Sequence, residues 1–404
     1  MKITSIALSN FKSFSQMGKV DFLDINFIFG FNNSGKSNLL KFIETVFSRK
    51  VNAESTTYQN NEGETKTRTT LERVNFWEGI IENHDNIFRI GSDKGVEFEI
   101  SVQLSLAEIS SLTIYAQLLT NSYALADKPI DIVIKGEINP LGQYSGKQEL
   151  VEVLINTHQV YDRNAGNSFD YDELLSVMND SVLFIDFDRF FKNEIINDKI
   201  IELKPRDFRN WLFNLSLDGE RNNEFTVLLN KIKAFTISST DKNIESNEKN
   251  NPLNNQFTYR FQRQKNSLEI ILKNKAGLEI PLSSFGTGVH QLIYLLFKIN
   301  ESNVKVLLLE EIELNLSAMY QNKIVEYIDK MIKEPKKSLS QAFITSHSPI
   351  HCYRNQDGSY VSNINDKGET QITRLKLTEE EVKHLKEVNA WLRKTVFGIE
   401  ETRG

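Results

Sequence analysis

Residues 27–47, FIFGFNNSGKSNLLKFIETVF, decide how the rest of the chain is read. The run DINFIFG (24–30) is short and apolar and stops at Gly30, as a buried strand does where it meets a turn. Downstream, Leu39, Leu40, Ile43, Val46 and Phe47 recur at helical spacing. Between strand and helix, Gly30-Phe31-Asn32-Asn33-Ser34-Gly35-Lys36-Ser37 fits the spacing G-x-x-x-x-G-K-S/T. Glycines let such a loop curl so that its N–H groups point inward at phosphate oxygens. The following helix adds unpaired N-terminal donors and a positive dipole end. Lys36 is then placed for the outer phosphates and the Ser37 hydroxyl for Mg²⁺.

The composition sets the frame around this motif. A chain of 404 residues, 40% hydrophobic and 25% charged, builds a large core and more than one lobe. It contains no run of 18 apolar residues, so no membrane span is expected. The opening MKITSIALSNFKSF alternates like a strand and lacks the core of a signal peptide, which points to the cytoplasm. A single cysteine, Cys352, excludes an internal disulfide and a cysteine-rich zinc site. The net charge of −6 does not advertise nucleic-acid binding, although a local basic patch is enough for it.

Along the chain, residues 1–30 read as two or three strands. The polar stretch RKVNAESTTYQNNEGETKTRTTLERV (49–74) reads as a long, mobile loop. GVEFEISVQLSL and DIVIKGEI alternate as sheet strands, whereas ELVEVLINTHQV fits strand or helix. SVLFIDF is a compact buried strand. A helical pattern follows over about 190–237 and then an Asn/Ser-rich connector. FTYRFQRQKNSLEIILKNKAGLEIPL reads as strands joined by a turn at Lys275–Gly277. There is no internal repeat or heptad array.

A phosphate loop needs a magnesium-holding carboxylate on a neighbouring strand. VKVLLLEEIELNL supplies it: Val304, Val306, Leu307, Leu308 and Leu309 form a buried parallel-strand pattern ending in Glu310 and Glu311. Carboxylates there lie where ligands bind in open α/β sheets. Glu310 is the candidate to orient Mg²⁺ and Glu311 the candidate to polarise the attacking water. Further on, SQAFITSHSPI is another apolar strand, ending in His347, which is placed to sense a γ-phosphate. Ahead of the acidic strand, LSSFGTGVHQLIYLLFKI opens an apolar helix with a Ser/Gly/Thr-rich turn, a second anion-binding helix N-terminus. One site needs only one such element; the second is useful if it meets the nucleotide of another subunit.

GFNNSGKSN, SSFGTGVHQ, LLLEEIELNLS and ITSHSP, in that order, together with the opening ITSIALSNFKSF, resemble the ABC-type ATPases of the RecF, SMC and OLD group. The resemblance covers about 1–50 and 257–350. It implies a P-loop NTPase fold, an α/β ABC-ATPase head split by an insertion. Two heads sandwich ATP, each lending its signature turn to the other's site. Carried over, Gly30, Asn32, Asn33, Ser34, Gly35, Lys36, Ser37 and Asn38 form the phosphate loop. Glu310 and Glu311 are the acidic pair, His347 is the switch histidine, and Ser284, Gly286, Thr287 and Gly288 are the signature acting in trans. Ser37 and Glu310 would hold the metal. Ser284 and Thr287 compete for the place of the signature serine. Gln159 is a candidate phosphate-facing glutamine and Arg189 a candidate phosphate contact. Ile312 stands where the group often has proline, and Asn315 where it has histidine.

The 57 residues after His347 are too few for the Toprim nuclease domain of OLD proteins. They read as a hairpin, SYVSNINDKGETQITRL, and an amphipathic helix, TEEEVKHLKEVNAWLRKTV, whose Glu379–Glu381 compensate the helix dipole. The expected organisation is residues 1–185 as the N-terminal part of the head with a β-rich lobe, 186–256 as a helical insertion and linker, and 257–404 as the C-terminal part. The expected function is ATP hydrolysis with ATP and Mg²⁺, in a homodimer or higher oligomer that gates a separately encoded effector in phage defence or genome maintenance. The alternative is a RecF-like clamp in which ATP controls DNA binding; the segment 186–265, with 14 Lys/Arg against 12 Asp/Glu, forms no DNA stripe.

Overall fold

The computed structural model describes residues 1–47, 51–59, 65–73, 88–89, 94–110, 128–138, 148–162, 177–178, 181–186, 256–262, 267–273, 279–281, 284–300, 304–334, 339–348, 351 and 357–397. The helical insertion expected over about 190–237 and the turn at Lys275–Gly277 lie outside them.

A six-stranded sheet carries the phosphate loop. Its strands are β3 (Ile25–Phe29), β10 (Val182–Ile185), β14 (Val306–Leu309), β15 (Gln341–Ser346), β16 (Ser359–Ile364) and β17 (Thr370–Arg374), in the order β10-β14-β15-β3-β16-β17. The first five are parallel and β17 closes a C-terminal antiparallel hairpin with β16. The continuous apolar runs of the central strands follow from burial on both faces. Ile28, Val306, Leu308 and Phe343 face one core, while Phe27, Phe29, Leu307, Leu309, Ala342 and Ile344 face the other.

The first core lies against a second six-stranded sheet, antiparallel throughout. It comprises β1 (Lys2–Phe11), β2 (Phe14–Asp21), β6 (Val96–Leu104), β7 (Ile130–Ile138), β8 (Gln148–Ile155) and β9 (His158–Asp162), in the order β2-β1-β6-β7-β8-β9. Alternation sets its faces: Val96, Phe98, Ile100, Val102 and Leu104 are buried along β6. Helix α1 (Lys36–Phe47) is held in this core by Leu39, Leu40, Phe42, Ile43, Val46 and Phe47. The Phe42 ring meets Phe11 and Phe98 edge-on at 5.4 and 5.5 Å, so truncating it to alanine removes about 3–5 kcal/mol of stability. A short helix, α2 (Leu106–Ile109), follows β6.

The second core packs α3 (Thr287–Ile299) and α4 (Ala318–Lys333) on the opposite face of the parallel sheet, through residues such as Leu292, Leu296, Ile324 and Ile328. The C-terminal helix α5 (Glu379–Phe397) opens with a capping box, in which Thr378 N–H donates to Glu381 and Glu381 N–H to the Thr378 hydroxyl. The Thr378 backbone N–H holds the Glu381 carboxyl below its ordinary range. A three-stranded sheet, β11 (Gln256–Gln262), β12 (Ser267–Lys273) and β13 (Glu279–Pro281), precedes α3.

Two readings change. The stretch taken as a loop contains β4 (Val51–Gln59) paired antiparallel with β5 (Thr65–Arg73) in unbroken register. The hairpin shows no apolar alternation, and its strand signal lies instead in β-branched threonines such as Thr56, Thr57, Thr67, Thr69 and Thr70. The ambiguous ELVEVLINTHQV is the β8–β9 hairpin. Asn156 and Thr157 turn it with φ of 46° and 72°, the left-handed pair that a two-residue hairpin loop demands.

Candidate active site

Strand β3 runs into the loop at Phe29, and the loop closes with Ser34 N–H donating to Phe31 O at 3.2 Å and Leu39 N–H to Gly35 O at 3.2 Å. Asn33 adopts φ of 62°, tolerable for asparagine, and Gly35 adopts φ of 96°, where a side chain strains the backbone. Lys36 is buried, and its Nζ donates to Gly30 O at 2.9 Å and Phe31 O at 2.8 Å. Burial lowers its pKa from the usual lysine value, while Glu311, Glu313 and Glu310 work against that shift.

Strands β14, β15 and β3 are neighbours and parallel, so their C-terminal ends share one edge of the sheet. That edge brings together groups that stand hundreds of residues apart in sequence. Glu310 is 3% exposed, and its N–H donates to Ile185 O at 2.9 Å. Glu311 sits in the left-handed region at φ of 45°, with its N–H on the Thr345 hydroxyl at 2.9 Å. For a residue that is neither Gly nor Asn this is a strained conformation, of the kind retained at working sites. His347 Nδ1 lies 3.0 Å from Gly30 O, 3.5 Å from Lys36 Nζ, and Nε2 3.5 Å from Glu311 Oε1. The contact to a carbonyl requires the proton on Nδ1. Nε2 then faces the carboxylate as an acceptor, and donates to it only when the ring carries a second proton.

Two side chains of this site were not singled out in the sequence. Glu313 Oε1 accepts from His347 N–H at 2.5 Å, and Thr345, fully buried, fixes Glu311. A third carboxylate two residues past Glu311 was the available signal for the first. Thr345 gave none, because its partner is 34 residues away.

The residues present fit Mg²⁺: a buried carboxylate at Glu310 and a loop hydroxyl at Ser37 are the hard oxygen donors it prefers. Among the described residues no three His, Cys, Asp or Glu side chains gather as a metal cluster, so phosphate oxygens would complete its shell.

The turn before α3 lies at the surface. Gly286 caps α3, and Ser284, Gly286 and Thr287 are exposed. Gly288 is close to its own chain, since a Cβ there would meet Asn315 O at 2.5 Å. Gln159 does not reach the phosphate loop: it is exposed on the outermost strand β9 and donates to Glu152 at 2.8 Å. Asp186 lies one position past the Ile185–Leu309 pair, and Arg189 lies outside the described residues.

A family model for the AAA ATPase domain matches residues 1–351. The chain belongs to that family. ATP hydrolysis is therefore the chemistry of this ATPase. Among solved structures it is similar to an SMC head bound to the C-winged helix domain of ScpA, at 15% identity over 95% of this chain and 100% of that one, with a TM-score of 0.51. It is also similar to the SMC head domain from Thermotoga maritima, at 13% identity over 93% and 100%, with a TM-score of 0.45. Among curated proteins no sequence relative matches the ATPase. The fold is that of a P-loop ATPase of ABC-head type. Among the described residues no helix is long and apolar enough to cross a membrane.

Proposed function

We propose that the chain binds ATP in the loop 30–38 and hydrolyses it in a head-to-head dimer, each protomer closing the other's site with Ser284, Gly286, Thr287 and Gly288. The observation that carries the hydrolytic site is the meeting of Lys36 and His347 at Gly30 O, with Glu311 facing the other nitrogen of His347. Lys36 exchanges its loop carbonyls for the outer phosphates. Glu311 takes a proton from water as the oxygen attacks the γ-phosphorus, and the bond to the ADP oxygen breaks. His347, tied to Gly30 O, registers the arrival and loss of the γ-phosphate. Ser37 and Glu310 would hold Mg²⁺, which supplies charge neutralisation at the phosphates.

In this reading residues 1–185 and 257–404 form the head, 186–256 are an insertion, and the cycle gates a separately encoded effector in phage defence or genome maintenance. The exposed turn before α3 supports the dimer, because a helix N-terminus facing solvent is free to meet a partner's phosphate. The similar SMC head bound to a separate ScpA domain supports the idea of a partner.

Gly286→Asp tests the sandwich. A Cβ at 286 meets nothing within 4 Å, so the carboxylate is tolerated within the chain and repels only an incoming phosphate. The variant is expected to bind ATP as a monomer without turnover. Mixing it with Lys36→Ala restores part of the activity, because one interface keeps an intact loop facing an intact turn. Full turnover by Gly286→Asp as a monomer refutes the dimer.

A further inference from the structure

A phosphate loop that turns its N–H groups inward turns carbonyls outward, and each buried carbonyl then needs a partner. Here the partners come from the C-terminal hairpin, more than 300 residues away. Ser34 O accepts from the Ser362 hydroxyl of β16 at 2.7 Å and from the Thr370 hydroxyl of β17 at 3.1 Å. Both side chains are buried, at 0% and 1% exposure. Thr370 N–H also donates to Ser13 O at 2.8 Å, the two hydroxyls of Thr370 and Ser13 are 2.6 Å apart, and Asn38 Nδ2 donates to Ser13 Oγ at 2.8 Å.

A hydroxyl has one proton and two acceptor lone pairs. The Asn38 amide donates to Ser13, and the one Thr370 proton has two acceptors in reach, Ser13 Oγ at 2.6 Å and Ser34 O at 3.1 Å. The same two residues, Thr370 and Ser362, set the space behind the loop. A Cβ at Gly35 would meet Thr370 Oγ1 at 2.2 Å, and one at Gly30 would meet Ser362 O at 2.3 Å.

We propose that Ser362 and Thr370 are positioning residues for ATP, holding the Ser34–Gly35 peptide from behind so that the loop N–H groups aim at the phosphates. This rests on the phosphate-loop reading of 30–38. The loop grips phosphate alike in the ground and transition states, so its misalignment raises KM and leaves kcat almost unchanged.

Thr370→Val, isosteric and without the hydroxyl, is the test, with Ser362→Ala as an independent variant that adds no bulk. Affinity is read by titration with a fluorescent ATP analogue, alongside kcat, KM and thermal melting. Each variant is expected to bind about five- to tenfold more weakly with kcat within about twofold, on the usual worth of a buried hydrogen bond. Thr370→Ser restores affinity because it returns the hydroxyl and removes only a methyl. Wild-type affinity in both Thr370→Val and Ser362→Ala overturns the proposal even if they melt lower. So does a Thr370→Ser as weak as Thr370→Val, which would assign the effect to methyl packing. Lys36→Ala separates the two readings. If it loses the analogue while the hydroxyl variants keep it, only the positioning role fails; if the wild type never binds the analogue, the phosphate loop itself fails and the positioning role with it.

Discussion

The loop at 30–37 and the turn at 284–288 each place small residues and glycines before an apolar helix, and by sequence both read as anion sites. Their surroundings differ. Around the first, the chain supplies partners to three loop carbonyls: Lys36 to Gly30 O and Phe31 O, His347 to Gly30 O, Ser362 and Thr370 to Ser34 O. Around the second, a Cβ at Gly286 would meet nothing within 4 Å, and Ser284 and Thr287 are exposed. A pocket that must grip phosphate on its own is braced from behind. In the proposed head-to-head dimer, the surface that meets its phosphate only on assembly is left open.

Lys36→Ala makes the sharpest cut between the two. Removing the cation that faces the outer phosphates is expected to weaken ATP binding by about 100-fold or more, since charge-assisted contacts to phosphate are the strong ones. Calorimetric titration measures it, and unchanged affinity would end the phosphate-loop assignment. Glu311→Gln comes next. It leaves the loop intact, so affinity should hold within about threefold while single-turnover hydrolysis slows about 100-fold to 10,000-fold. Unaltered turnover would move the base elsewhere, with His347 the next group at hand, 3.5 Å away.

What the sequence revealed of this site was local. A strand, a loop, a lysine and a helix in succession announce the phosphate loop, and an apolar strand ending in Glu310 and Glu311 announces its partner. The central strands were legible because burial on both faces leaves an uninterrupted apolar run. What brings them together was not, because hydrogen bonds such as Thr370 to Ser34, 336 positions apart, leave no mark in either neighbourhood. Thr370 and Ser362 look like ordinary strand residues until the parallel pairing of β16 with β3 places them behind the loop. The β4–β5 hairpin is hard to read in the sequence for a different reason: it lacks the apolar alternation that marks a half-buried strand and offers only β-branching.

The smallest expected effect separates the two glycines within the second turn. At Gly288 a Cβ would stand 2.5 Å from Asn315 O, a backbone atom of a residue itself at φ of 56° and therefore slow to give way. Gly288→Ala is expected to destabilise the fold by about 1–3 kcal/mol, the usual range for overpacking, read as a lower urea midpoint with an unchanged slope. Gly286→Ala, at an ordinary φ of −65° with open space around it, should stay within about 0.5 kcal/mol of wild type. Equal stability of the two variants would mean that α3 sits further from Asn315 than this geometry has it. A loss confined to Gly288→Ala would tie the N-terminus of α3 to the loop that follows Glu311. A change at the acidic pair would then have a short path, through Asn315, to the surface of the proposed dimer.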